Sequence, residues 1–218
     1  MATLEPLPLV ASNGKPLIHK FYRQEDDPVG LFITLPGNHY GVDGPLLYYP
    51  SKMLLDAGWD TLALTYGYQS TGEEFNHEVV PGVVRECQDA MRHVLSKRDY
   101  PNVALVGKSL GAFVIAQLCN IEETLEDARC MYVTPPLGTP FFDQMFQISS
   151  QPAHIALGTK DRFYNQQALE DLRTKRPFSL TLIDHADHSM NVAGDLDASI
   201  EAVRRVTQEG VDFILGKQ

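Results

Sequence analysis

The sequence is short of positive charge, of cysteine and of long apolar runs. Its 18 lysines and arginines stand against 28 acidic residues, a net charge of −10 over 218 residues. Such a chain offers no basic stripe to neutralise phosphates, which argues against nucleic-acid binding, and it has the wrong sign for anionic lipid. The three cysteines, Cys87, Cys119 and Cys130, are odd in number and lack close spacing. They form neither a disulfide framework nor a zinc knuckle and read as reduced thiols with a packing role. No apolar run approaches the ~18 residues of a membrane helix. The first ten residues carry Glu5 among prolines and no basic segment, so no secretory signal is read and a cytoplasmic location is expected.

What is present is an ordinary globular composition, 44% hydrophobic and 21% charged, in a length that favours one domain over residues 1–218. Residues 7–11 and 16–22 read as two short strands around Asn13-Gly14, a dipeptide suited to a two-residue hairpin turn. Residues 23–27 read as a charged loop. Residues 29–35, VGLFITL, form a continuous apolar run, as in a strand buried on both faces. Alternation follows: helix over 46–57, strand over 61–65, an apolar helical face from Val83 to Leu95, strand over 103–106 and helix over 110–119. Three more strands are expected at 130–133, 155–157 and 180–183, with a helix around 166–172 and a terminal helix over 200–215 loosened at Gly210. A hairpin followed by strand–helix units predicts an α/β fold: a mostly parallel sheet of about eight strands with helices on both faces. The stretch 135–150 shows no periodicity and reads as a long loop, unusually apolar because of Phe141, Phe142, Met145 and Phe146.

Gly107-Lys108-Ser109-Leu110-Gly111 matches G-x-S-x-G between an apolar strand and an apolar helix. In that setting a tight turn presents the serine hydroxyl at the sheet edge. Side chains at either glycine would strike neighbouring backbone, and the helix N-terminus supplies free N–H groups and positive dipole beside the serine. The alternative, a phosphate-binding loop ending in Gly107-Lys108-Ser109, fails because Asn102 occupies the position that needs glycine.

On this motif and the strand order, the sequence resembles the α/β-hydrolase superfamily over nearly its whole length, and within it the small lidless members akin to dienelactone hydrolase and compact carboxylesterases. The resemblance implies a serine after the fifth strand, an acid after the seventh and a histidine after the eighth. The turn after 155–157 reads Gly158-Thr159-Lys160-Asp161-Arg162-Phe163, in which Asp161 is the only carboxylate. The segment after 180–183 reads Asp184-His185-Ala186-Asp187-His188-Ser189-Met190. His188 fits the family's Gly/Ala-Asp-His pattern better than His185 at the strand end. The same cluster could be read as a metal site from His185, Asp187 and His188, but three ligands within four residues need unusual geometry and no fourth is evident. Neither metal nor cofactor is expected.

The resemblance also implies a two-donor oxyanion hole from the backbone N–H groups of Leu110 and, in the loop Leu35-Pro36-Gly37-Asn38-His39-Tyr40-Gly41, of Asn38 or His39. Relatives often carry His-Gly where this chain has Pro36-Gly37. His39, Tyr40, Tyr68, Phe141 and Phe142 are candidate pocket-lining residues, and the slot at 135–150 is too short for a cap domain. The expected activity is serine hydrolysis of a carboxylic ester, thioester or lactone of a small to medium acyl substrate. In it Ser109 attacks, His188 is general base and Asp161 orients the imidazole. Activity should then rise with pH through a histidine titration near ~6.5. An acyltransferase on the same triad, or a silent scaffold that binds a ligand or protein, are the alternatives. No interface stripe indicates an oligomeric state.

Overall fold

The computed structural model describes residues 1–11 and 14–217. Eight strands form one sheet in the order β1-β2-β4-β3-β5-β6-β7-β8. They are β1 (Ala2–Glu5), β2 (Lys20–Gln24), β3 (Leu31–Leu35), β4 (Asp60–Ala63), β5 (Val103–Lys108), β6 (Arg129–Val133), β7 (Ala153–Gly158) and β8 (Ser179–Ile183). The pairs of β1 with β2 and of β2 with β4 are antiparallel, and the others are parallel. The helices are α1 (Pro45–Asp56), α2 (Gly67–Thr71), α3 (Val80–Leu95), α4 (Leu110–Ile121), α5 (Pro140–Ile148), α6 (Gln166–Lys175) and α7 (Leu196–Ile214). None of them is long and apolar enough to cross a membrane.

The sheet divides the core by its pleat. Leu31, Ile33 and Leu35 of β3, with Leu105, Cys130, Tyr132, Ile155 and Leu157, face one apolar layer packed by α3, α4, α5 and α6. Phe32, Ala104, Val106, Met131, Val133 and Ala156 face the other, packed by α1 and α7. Side chains of alternating strand positions point to opposite faces, so strands that are apolar throughout build two cores at once. All three cysteines are free and buried.

Four expectations need correction. The opening hairpin pairs Ala2–Glu5 with Lys20–Gln24, so Arg23 and Gln24 lie in a strand rather than in a loop. Among the described residues between these strands an isolated bridge, Val10 with Pro16, is formed, with the Ala11 N–H donating to Lys15 and the Leu17 N–H to Leu9; no longer ladder follows, because Pro8 and Pro16 have no N–H to give to one. Asn13 of the expected turn lies outside the described residues. The stretch 135–150 holds helix α5, with Pro140 at its first turn where a missing N–H is harmless. The short helix α2, which follows β4, was also not anticipated. Finally, α7 runs unbroken through Gly210, whose bare Cα lies against Met131: a Cβ there would come within 2.3 Å of the sulfur. The glycine is a close-packing position rather than a break.

Candidate active site

The C-terminal edge of the parallel strands gathers the candidate residues. β5 ends at Lys108 and α4 begins at Leu110, so one residue, Ser109, makes the whole turn. It does so at φ 53 and ψ −106, a conformation that costs an L-residue of order 1–3 kcal/mol. The flanking glycines make the bend possible. A Cβ at Gly107 would lie 2.4 Å from the Gly111 carbonyl carbon, and one at Gly111 would lie 2.3 Å from the Leu35 oxygen. The Ser109 N–H donates to the Val133 carbonyl at 2.9 Å, fixing the turn to the end of β6.

Asp161 closes the turn after β7. Its side chain is fully buried. Oδ1 accepts the Phe163 N–H at 2.9 Å, and Oδ2 lies 2.8 Å from Nδ1 of His188. The turn is laced to the histidine loop: Thr159 N–H donates to Ile183, Lys160 N–H donates to Ala186, and Thr159 Oγ1 accepts the His185 N–H. The close approach at Gly158 is compulsory, since a Cβ there would sit 2.1 Å from the Ala186 oxygen. His188 itself is 23% exposed, its ring set edge-on to Phe163. Of the two competing histidines, His188 is the one paired with the carboxylate. His185 is exposed and sits at φ 62. The Asp187 carboxylate is occupied by the N–H groups of Ser189 and Asn191. The Asp161 carboxylate and the His188 imidazole are thus joined. Ser109 Oγ has no hydrogen-bond partner among the described residues.

The loop after β3 lies against the serine: a Cβ at Gly37 would be 3.7 Å from that of Ser109. Its carbonyls are held from behind. Tyr66 Oη donates to Pro36, and Gln69 Nε2 donates to both Gly37 and Asn38. The Gly37 N–H donates to the Tyr40 carbonyl at 2.9 Å, which closes the loop on itself. Among the described residues neither the Asn38 nor the Leu110 N–H finds an acceptor. Tyr68 Oη donates to Asn38 Oδ1 at 2.9 Å. A cleft of about 630 Å³ beside this loop is lined by Asn38, His39, Tyr40, Tyr68, Glu73 and Phe75. Phe141 and Phe142 do not line it. Phe141 is 74% exposed on α5, and Phe142 is buried against Tyr132 and Phe146. A second, apolar groove of about 510 Å³ runs between α1 and α7, past Tyr49, Met53, Leu196 and Ile200; Ser109, Asp161 and His188 line neither cavity.

Two features escaped the sequence reading. Gln69 braces the loop from a helix that was not foreseen. Lys108, which the sequence offers only as a phosphate-loop lysine, is 2% exposed. Its Nζ donates to the His188 carbonyl at 3.0 Å and to Thr134 Oγ1 at 3.2 Å. The available signal was a lone lysine closing an otherwise apolar strand.

A family model described as an alpha/beta hydrolase domain matches residues 37–214. The chain belongs to this alpha/beta hydrolase family. No curated protein matches the sequence. Among solved structures, a serine hydrolase without a lid from Xanthomonas campestris superposes with a TM-score of 0.69 at 17% identity, covering 96% of this chain and 93% of that one. Est1E from Butyrivibrio proteoclasticus gives 0.71 at 12% identity, covering 99% and 98%. A serine hydrolase homologue from Coxiella burnetii gives 0.69 at 17%, covering 96% of each chain. At these identities the likeness is one of fold, and it extends to the missing cap: the hydrolase fold here carries only α5 where a lid would be inserted.

Proposed function

We propose that the protein is a serine hydrolase that cleaves a carboxylic ester, or a chemically similar thioester or lactone, through an acyl-enzyme. The observation that carries the reading is the 2.8 Å pairing of buried Asp161 with His188 on the sheet edge where Ser109 makes its strained turn. Asp161 fixes the imidazole with Nδ1 toward the carboxylate, leaving Nε2 to take the serine proton. Ser109 Oγ attacks the carbonyl carbon. The oxyanion is received by the N–H groups of Leu110 and Asn38, and loss of one such donor typically costs about 3 kcal/mol of barrier. His188 then passes its proton to the leaving group, and water repeats the cycle on the acyl-enzyme. The open cleft beside Asn38 and Tyr68 suits a small or medium acyl or alcohol group. Of the structural relatives, Est1E is described with ferulic acid bound, which favours trying aromatic esters early.

The test is labelling of the purified protein with a fluorophosphonate probe. Wild type should label and Ser109→Ala should not. Folded wild type that stays unlabelled would remove the hydrolase reading and leave a binding scaffold.

A further inference from the structure

We propose that Lys108 is a positioning residue of this site: its ammonium holds the His188 backbone carbonyl and thereby sets the imidazole. The inference rests on the hydrolase reading above only for what it says about activity.

Burying an ammonium takes several kcal/mol of solvation from it, so what it meets inside decides whether the charge is idle. The Lys108 ammonium meets no carboxylate at ion-pair distance among the described residues. It meets instead the His188 carbonyl at 3.0 Å, Thr134 Oγ1 at 3.2 Å and the face of the Tyr40 ring at 4.8 Å. Those three groups belong to the connections after β8, β6 and β3. Lys108 itself precedes the nucleophile after β5. One cation therefore joins the serine turn, the histidine loop and the loop that bears Asn38. An apolar side chain of equal length would fill the space without the desolvation cost, but it could not donate to the carbonyl of the residue whose imidazole must do the chemistry. A charge-assisted hydrogen bond is roughly twice as strong as a neutral one. The backbone on both sides of this contact is already strained, with Thr134 at φ 44 and Met190 at φ 63. Such conformations persist only where surrounding contacts over-determine them.

The groups facing the ammonium set its titration. Burial lowers the Lys108 pKa to about 8, against the opposing pull of Asp161 and Asp187, while Arg162 adds to the lowering. Tyr40, whose ring it faces, is pushed above its usual 10 by burial, so the phenol stays neutral through this range. His188 meets the lysine through its carbonyl. As pH rises through about 8 the fraction of ammonium falls, the cation–π contact vanishes and the hold on the carbonyl weakens to that of a neutral amine. The pH–rate curve then falls on the alkaline side as Lys108 loses its proton.

Three measurements test this. Lys108→Met should remain folded by circular dichroism, lose about 10- to 100-fold in kcat with KM little changed, as expected for a misplaced catalytic group, and lose the alkaline limb. Lys108→Arg keeps the charge to far higher pH and should recover part of kcat with the alkaline limb moved upward. In ¹⁵N-histidine-labelled wild type, the His188 ring signals should show an inflection near pH 8 that Lys108→Met abolishes. The wild-type part of this readout needs neither turnover nor a variant. Wild-type kcat in Lys108→Met, an unmoved alkaline limb, or no inflection near pH 8 in wild type each overturns the role of Lys108. Failure of wild type to label with fluorophosphonate overturns the hydrolase reading alone, and the ring signals then decide the lysine's role by themselves.

Discussion

The four non-glycine residues with positive φ among the described residues are Ser109, Thr134, His185 and Met190. They follow β5, β6, β8 and β8, on the one edge that holds the candidate chemistry. Strain of this kind is expected where function requires a geometry the backbone does not prefer. The glycines beside Ser109 make its share of that strain affordable. Gly111→Ala would drive a methyl group into the Leu35 carbonyl, a backbone atom with no side-chain torsion to relieve it. We expect about 3 kcal/mol of destabilisation, read as a fall in the urea midpoint together with loss of fluorophosphonate labelling. A midpoint within error of wild type would show that the turn can open without cost. At this scale the sequence was readable wherever geometry demands a residue type. G-x-S-x-G demands its glycines, and Asp161 was the sole carboxylate in its turn. Lys108 was unreadable because its role depends on a carbonyl 80 residues away across the sheet edge.

Elements were readable when they were long and periodic. The α3 face from Val83 to Val94 and the buried strands β3, β5 and β7 follow from spacing and apolarity alone. Helix α5 did not, for physical reasons: it has nine residues, and Pro135, Pro136, Gly138 and Pro140 crowd its approach and mimic a loop. Its one usable sign was Phe142 and Phe146 four residues apart, which places both on one helix face. The structure uses that face fully. Phe142 and Phe146 stack on each other and meet Tyr132 of β6 edge-on, and Phe178 closes the cluster. Phe141 points away. Phe146→Ala should therefore cost about 3–5 kcal/mol, whereas Phe141→Ala should stay within about 0.5 kcal/mol of wild type. Paired chemical-denaturation curves check both, and equal losses would mean that α5 is docked by a different face. The opening strands were misread for the opposite reason. Their apolar residues were visible, but the prolines among them forbid the ladder that the pattern suggested.

On the scale of the whole molecule, two layers of core lie either side of one sheet, and two histidines, His154 and His19, are buried. His154, on β7, lies between Ser179 and Thr181 of β8 and packs on Phe213 of α7. His19 accepts the Thr65 N–H through Nδ1 at 3.0 Å, while its Nε2 is buried without a partner. Burial lowers both pKa values from 6.5 to about 4, with Glu209 partly opposing the shift at His154. The folded state thus excludes protons that the unfolded chain accepts between about pH 6.5 and 4. Stability must rise with pH across that window and be lost as pH falls through it. Each shift of about 2.5 units corresponds to about 3 kcal/mol, so the pair could remove about 6 kcal/mol by pH 4. That is comparable with the whole stability of an ordinary domain, about 5–15 kcal/mol. Charge repulsion is no rival explanation near the middle of the window, because the isoelectric point is about 5.1 and the net charge there is close to zero. Urea denaturation at steps from pH 7 to 4.5, at protein concentrations low enough to avoid precipitation, should give a falling unfolding free energy. His154→Gln keeps a polar side chain in the same pocket but cannot take up the proton, so its curve should be shallower by the share that His154 contributes. A wild-type free energy that stays level from pH 6.5 to 4.5 would mean that water reaches both imidazoles.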